Sequence, residues 1–178
     1  KGLILNMIHY FWPSLLKLNF VVSMVTPIIK ATKGSSVKSF YTDSAFRTWY
    51  GDGKAGWKVK YYKGLGTSTS AEAREYFKQI QDLTVRFDMD KMTDASIILA
   101  FDKKKADARK VWLLENTAKD ADQLEVPYGS VKQLDITDFV HKDLVNFSLA
   151  DLKRSIAHMA DGLKPSQRKV MFACFKKN

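Results

Sequence analysis

The chain opens on apolar residues spaced three and four positions apart, a pattern typical of a helix with one buried face. The positions of this apolar stripe are Leu3, Ile4, Met7, Ile8 and Phe11. Pro13 is expected to kink or restart the helix, because proline removes a backbone donor and its ring crowds the preceding turn. The stretch 20–31 is rich in valine and isoleucine and predicts a strand, and a turn at 33–36 leads to a second predicted strand at 37–41.

The middle of the chain alternates helix and strand signals. Asp43 is expected to cap a short helix, and the alternating residues 57–62 predict a half-buried strand. A glycine-rich turn at 63–67 follows, and then a helix over 70–83 whose capping-box-like start includes Glu72. A strand, a tight glycine turn and a capped helix in this order are typical of α/β folds that handle phosphates or nucleotides.

The remaining sequence predicts mainly helices. Two are expected at 95–101 and 105–116, and the stretch 119–134, which contains Pro127 and Gly129, predicts an exposed linker. The next helix is amphipathic, and its apolar face is Ile136, Val140, Leu144 and Phe147.

The C-terminal end of the chain has the outline of a helix-turn-helix. Asp161 and Gly162 break the chain, and Pro165 suits the first position of a last helix. The apolar stripe of that helix is Val170, Met171, Cys174 and Phe175. The outline alone is a weak signal for DNA binding, but it lies in a strongly basic segment.

Positive charge is concentrated in two stretches of a chain whose formal net charge is +10. Residues 101–112 hold five basic side chains against two acidic ones, and residues 151–178 hold seven against two. Clustered positive charge on a folded protein favours a polyanionic partner, most often nucleic acid. From charge alone, an ordinary solvated face explains the pattern equally well.

Several classes of protein are disfavoured by composition. The single cysteine, Cys174, excludes an internal disulfide, and His9, His141 and His158 are too scattered to indicate a zinc site. Polar residues interrupt the apolar N-terminal stretch before it reaches the roughly 18 residues that a membrane span needs. Because the first residue is Lys1, we expect the chain to be part of a longer protein.

Four stretches, in the correct order, resemble eukaryotic DNA topoisomerase II. The run from Tyr61 to Ser70, followed by Glu72 and by the triplet 75–77, resembles the signature of that family. Bacterial gyrase shares the Tyr-Lys-Gly-Leu-Gly core, but not the Thr-Ser-Thr-Ser extension that follows it. The other three stretches are 1–16, 26–30 and 161–170.

The resemblance implies an α/β fold: the C-terminal part of a Toprim-like fold at 1–116, a linker at 117–135 and the helical start of a winged-helix DNA-binding domain at 136–178. It implies a fragment of an ATP-dependent type IIA DNA topoisomerase, a nuclear homodimer that cleaves, passes and religates duplex DNA. Mg²⁺ and ATP would serve the parent enzyme. The catalytic tyrosine and the metal carboxylates are expected outside this chain, which alone should be inactive. Asp88 and Asp90 imitate a metal motif, but we interpret them as a solvated turn.

Six basic residues are the candidate DNA contacts: Lys63, Arg109, Lys110, Arg154, Lys164 and Arg168. By resemblance, the last three bind DNA near the cleavage site, and Arg109 and Lys110 lie on a basic helix that touches the DNA backbone. A lysine beside a helix start adds its charge to free backbone N–H groups, and arginine can grip phosphate oxygens with two hydrogen bonds. Lys63 lies in the glycine-rich turn. Either the glycines allow Lys63 to approach DNA or an acidic metal site closely, or they serve only to form the turn.

Two departures and two alternative functions remain open. Ala157 stands where the family usually has proline and Leu152-Lys153 replaces a more polar pair, so Arg154 need not approach DNA as it does in the family. Asp161 is interpreted as capping the turn rather than orienting a basic neighbour. The alternatives are a non-catalytic nucleic-acid-binding module and an interaction domain for an acidic protein. A steep loss of DNA binding with salt would disfavour the acidic partner.

Overall fold

A computed structural model describes residues 1–51, 53, 55–62, 67–119 and 121–177. The helices are α1 (Gly2–Phe11), α2 (Pro13–Lys17), α3 (Asp43–Tyr50), α4 (Ser70–Lys78), α5 (Thr93–Phe101), α6 (Ala106–Thr117), α7 (Ile136–Asp138), α8 (Val145–Ser155) and α9 (Pro165–Lys176). The strands are β1 (Val22–Met24), β2 (Ile29–Lys33), β3 (Ser36–Phe40), β4 (Lys58–Tyr61), β5 (Thr84–Asp88) and β6 (Gln133–Asp135). Short 3₁₀ turns lie at Lys103–Lys105 and Ala121–Leu124, and a π-helical segment lies at Phe139–Leu144. The predicted α/β class is confirmed.

The first sheet has the strand order β1–β5–β6 and lies in the larger hydrophobic core, which we call the first core. β1 pairs antiparallel with β5, whereas β5 and β6 are parallel, with Phe87 beside Leu134. Both side chains are buried in the first core, together with Leu5 and Ile8 of α1 and with Val140. Neither β5 nor β6 is among the predicted strands.

The stretch predicted as an exposed linker contributes to the first core. Leu124, Val126 and Leu134 are buried there, so the prediction of an exposed connection is wrong for these residues. Pro127 and Gly129 are exposed, as expected. The domain limits at 116 and 136 stay predictions.

The second sheet has the order β3–β2–β4 with antiparallel pairing throughout, and α3 covers one face of it. Ile29 and Phe40 of the sheet and Phe46 of α3 belong to a separate second core, completed by Ala31. The prediction of one strand over 20–31 is wrong, because the stretch is divided between the two sheets. Pro27 lies between β1 and β2, where a residue without an N–H donor ends the pairing.

Two helix starts show how side chains take up free backbone donors. Thr42, not the predicted Asp43, caps α3 by accepting a backbone N–H at 3.2 Å. Thr69 and Glu72 form a capping box at the start of α4, which confirms the predicted start. α4 ends at Lys78, short of its predicted end.

A continuous helical stretch runs from α7 through the π-helical segment into α8. Ile136 and Val140 are buried as predicted, but Phe147 is 61 % exposed. The wider turns of the π segment rotate the buried face, so that Phe139 and Val145 point into the first core instead.

α1 presents apolar side chains on all sides, so its spacing alone does not identify the face that packs. Leu5 and Ile8 are buried, whereas four predicted positions are exposed: Leu3, Ile4, Met7 and Phe11. The packed side contains Gly2, where an added Cβ would lie 2.9 Å from the ring of Phe101. The missing side chain therefore allows α1 to approach α5 closely.

α9 begins at Pro165, as predicted, after a break at Gly162, whose φ is +65°. It has no buried residue among those described, so its predicted apolar stripe is exposed. Within the described ranges, no helix combines the length and the apolar character that crossing a bilayer requires.

Candidate nucleic-acid interface

The turn before α9 holds two of the predicted contact residues. The N–H of Lys164 donates to the side chain of Gln167 at 2.8 Å, and the Lys164 side chain is exposed. Asp161 accepts the N–H of Leu163 at 3.0 Å and binds Arg168 through Nε at 3.0 Å and Nη2 at 2.7 Å. Asp161 thus caps the turn, as interpreted from the sequence, and also orients Arg168.

These contacts set the local charge. The Leu163 N–H, and then the Arg168 guanidinium, hold the pKa of the Asp161 carboxyl below its usual range. Asp161 is therefore an anion at neutral pH, and the pair that it forms with Arg168 is neutral in sum. No carboxylate among the described residues pairs with Lys164, which leaves this ammonium as the uncompensated charge beside the start of α9.

Arg154 projects from the last turn of α8 and is exposed. Its guanidinium binds Asp151 one turn earlier, and this hydrogen bond lowers the pKa of the Asp151 carboxyl. Among the described residues, no hydrogen bond or ion pair joins this pair to the one at α9. Helix α8 and the region of α9 therefore each have a separate arginine–aspartate pair.

The two predicted residues of α6 have different environments. Lys110 is exposed and pairs with Asp107 at 2.8 Å. Arg109 is half-buried, and its Nη1 donates to three backbone carbonyls at the end of α5, those of Leu99 at 3.0 Å, Ala100 at 3.1 Å and Asp102 at 3.1 Å. Arg109 therefore joins α5 to α6, a contact that is not among the predicted ones.

Lys63 lies outside the described residues, but residues before and after the stretch 63–66 meet at one carboxylate. The Tyr62 hydroxyl donates to Glu72, and the Thr69 N–H donates to the other oxygen of Glu72 at 2.8 Å. The end of β4 and the start of α4 are thereby fixed to each other.

Two lysines of the second sheet neutralise Glu72. The ammonium groups of Lys30 and Lys60 each lie 3.5 Å from its carboxylate, and the Lys30 side chain is only 9 % exposed. The hydrogen bond from Tyr62, supported by Thr69 and Lys30, lowers the pKa of Glu72 to about 2, while burial and the contact with Glu72 raise the pKa of Tyr62 to about 12. Lys30 is not among the predicted site residues, because its partner Glu72 lies far along the chain and no local spacing connects the two.

Asp90 has a structural role. Its carboxylate accepts the hydroxyls of Thr137 at 2.6 Å and Thr93 at 3.0 Å, and the N–H of Met92 at 2.9 Å. The prediction that Asp90 lies in a solvated turn is therefore wrong, because its carboxylate joins the start of α5 to α7. Among the residues that the structure describes, no three histidine, cysteine or acidic side chains are grouped as a metal site.

The fold is the mixed α/β arrangement of a topoisomerase II cleavage domain. It superposes on the crystal structure of the Plasmodium falciparum topoisomerase II DNA-binding, cleavage and re-ligation domain with a TM-score of 0.82 and 44% sequence identity. The match covers 100% of this chain and 24% of that chain. A family model described as the C-terminal associated domain of TOPRIM matches residues 24–152, and the chain belongs to this family.

Curated relatives agree with this assignment. The chain is 46% identical over 189 residues to DNA topoisomerase 2-beta of Homo sapiens and 45% identical over 188 residues to DNA topoisomerase 2 of Drosophila melanogaster. All of this chain is matched, but it spans only 12% and 13% of the length of those relatives. The resemblance to eukaryotic DNA topoisomerase II is confirmed.

Proposed function

We propose that this chain is the segment of a type IIA DNA topoisomerase that holds the phosphate backbone of duplex DNA and does not cleave DNA alone. The observation that carries the proposal is the match along the whole chain, at 44% identity, to a structure named as a DNA-binding, cleavage and re-ligation domain. The net charge of +10 supports it, because a polyanionic partner neutralises such a surface.

In the parent enzyme, the segment would belong to an ATP-dependent nuclear homodimer that cleaves, passes and religates duplex DNA. Phosphoryl transfer requires cations near the reacting phosphate, because its transition state spreads negative charge over the phosphate oxygens. This chain would contribute basic side chains to that environment. Mg²⁺ and ATP would serve the parent enzyme, and no residue of this chain is assigned to binding either of them.

The contacts around α9 suit a phosphate. Lys164 lies beside the first turn of α9, where a helix start favours an anion. Arg168 uses Nε and Nη2 for Asp161, and a guanidinium has five donors. Its Nη1 donors are therefore available to a phosphate oxygen while Asp161 holds the side chain in place.

The test is duplex binding by the 178-residue chain over a series of salt concentrations. Lys164→Gln and Arg168→Gln should each lower the slope of log affinity against log salt by about one unit, because each variant removes one phosphate contact. The loss should be the same for every DNA sequence, since phosphates carry no sequence information. Lys103→Gln and Lys176→Gln are the matched controls, because both lysines are exposed, Lys103 in the 3₁₀ turn after α5 and Lys176 at the C-terminal end of α9.

Three results would count against the proposal. Equal losses in all four variants would mean that only total charge matters. A loss confined to one DNA sequence would refute the phosphate contacts. If the unmodified chain shows no salt-dependent binding to duplex DNA, the proposed function itself is refuted.

A further inference from the structure

The second sheet carries lysines on all three of its strands and no acidic residue on any of them. Over 29–62, the described residues include six basic side chains against Asp43 as the single acidic one, a net charge of +5. The six are Lys30, Lys33, Lys38, Arg47, Lys58 and Lys60. None of these six residues lies in the two basic stretches, 101–112 and 151–178, that the sequence predicts as contact regions.

The strand register places the lysines of β4 on the face that α3 leaves open. Lys60 lies opposite Lys30, and Lys58 lies opposite Thr32. Directly opposed residues point to the same side of a sheet, and their neighbours Ile29 and Ala31 are buried on the other side in the second core. We call this open side the lysine face, and it consists of Thr32, Val37, Ser39, Lys58 and Lys60, with Lys30 at its buried end.

The charge of the lysine face is compensated only in part. Among the described residues, Glu72 is the one carboxylate within ion-pair distance of it, and Lys30 and Lys60 share that carboxylate. The Lys60 side chain remains 49 % exposed, and Lys58 is exposed with no carboxylate partner in the described ranges. Three ammonium groups against one carboxylate leave a net charge of +2, whereas Arg154 and Arg168 each have an aspartate of their own.

We propose that the lysine face is a second contact surface for the phosphate backbone of duplex DNA, separate from the helices at the C-terminal end. Lys58 and Lys60 are two positions apart on one strand and therefore about 7 Å apart along it, and the hydroxyl of Ser39 lies on the same face. Val37 is the one apolar member, so the face lacks the apolar centre of a typical protein interface. A lysine ammonium is a compact point charge, which suits phosphate contact rather than reading of bases. The choice of DNA as the polyanion rests on the proposed function.

The test removes the two exposed lysines and measures duplex binding against salt. The combined change Lys58→Gln and Lys60→Gln should lower the salt slope by about two units, and Lys58→Gln alone, which leaves the Glu72 ion pairs intact, by about one. Lys78→Gln combined with Lys91→Gln is the control, because it removes the same charge from exposed positions outside this face. Circular dichroism of each variant should match that of the unmodified chain.

The outcomes separate this inference from the proposed function. If Lys164→Gln lowers the slope and the Lys58 and Lys60 changes do not, the lysine face is overturned and the proposed function stands. If only the Lys58 and Lys60 changes lower it, the lysine face stands and the assignment at α9 fails. If the control variant lowers the salt slope as much as the Lys58 and Lys60 changes do, the lysine face is overturned as a DNA surface. It is also overturned if the Lys58 and Lys60 changes weaken binding to polyglutamate as much as they weaken binding to DNA. No salt-dependent binding by the unmodified chain overturns both proposals.

Discussion

At the scale of single residues, Glu72 is the side chain that ties the second sheet to α4. Its carboxylate joins β2 through Lys30, the end of β4 through Tyr62 and the start of α4 through Thr69. Lys30 is almost completely covered, and a buried cation that loses its partner is strongly destabilising. The residue that the sequence identifies as a helix cap is thus also the counter-ion of a buried lysine.

We expect Glu72→Gln to lower the free energy of unfolding by about 2 kcal/mol at neutral pH, because the amide keeps the shape of the side chain but leaves Lys30 without a charged partner. Urea unfolding measures the change. Glu75→Gln, on the exposed side of the same helix, is the control and should stay within about 0.5 kcal/mol of the unmodified chain. Equal stability of the two variants would show that the ion pair contributes nothing.

The same carboxylate predicts a pH dependence. The pKa of Glu72 in the folded chain, about 2, lies below the value of about 4.3 in an unfolded chain. The folded state therefore binds fewer protons than the unfolded state between these values, and the stabilisation is complete above the upper value and is lost as pH falls toward the lower one. As pH falls through that window, the free energy of unfolding of the Glu72→Gln variant should decline less steeply than that of the unmodified chain.

At the scale of elements, features that depend on neighbouring residues are predictable from the sequence, whereas features that depend on distant residues are not. The capping box of α4 and the start of α9 at Pro165 depend on residues within one turn, so the sequence identifies both. β6 has only three residues and forms a strand because Phe87 of β5 lies beside Leu134. The predicted amphipathic helix fits its spacing only in its first half, because the π-helical segment then rotates the buried face. The apolar periodicity of the sequence does not indicate a π-helical segment.

Arg109 shows the same limit for the candidate site. Its position on a basic helix indicates a surface contact, but its guanidinium takes up carbonyls at the end of α5, where helix groups lack partners within their own helix. Replacement of Arg109 is therefore expected to affect folding as well as any contact with DNA. Its role in DNA binding stays a prediction.

Arg109→Ala should lower the free energy of unfolding by about 1–2 kcal/mol, because it removes charge-assisted hydrogen bonds to carbonyls that are only partly exposed. Lys110→Ala is the neighbouring control and should cost less than about 0.5 kcal/mol, since it breaks only an exposed ion pair with Asp107. Thermal or urea unfolding distinguishes them. If both variants lower the free energy of unfolding by equally small amounts, water replaces the Arg109 contacts without loss of stability.

At the scale of the whole molecule, the two cores are separate clusters that segment 125–129 helps to hold together. The Glu125 carboxylate accepts the N–H of Asp43 at 2.7 Å and that of Ser44 at 3.2 Å, and so anchors the start of α3. Gly129 packs against the ring of Tyr41 so closely that an added Cβ would lie 2.6 Å from it. The stretch that the sequence predicts as an exposed linker therefore joins the two halves of the fold.

Glu125→Ala should loosen the second core and leave the first unchanged. Loss of the anchor at α3 should accelerate amide hydrogen exchange of Phe46 and its helical neighbours about tenfold, which corresponds to about 1.4 kcal/mol. The amide of Phe87, bonded to the Val21 carbonyl at 3.0 Å within the first core, should exchange at its original rate. Asp122→Ala, which removes the same charge from an exposed position nearby, is the control and should affect neither. A uniform acceleration at Phe46 and Phe87 would instead mean that the two cores open as one cooperative unit, and the lysine face of the second sheet would then share the stability of the entire chain.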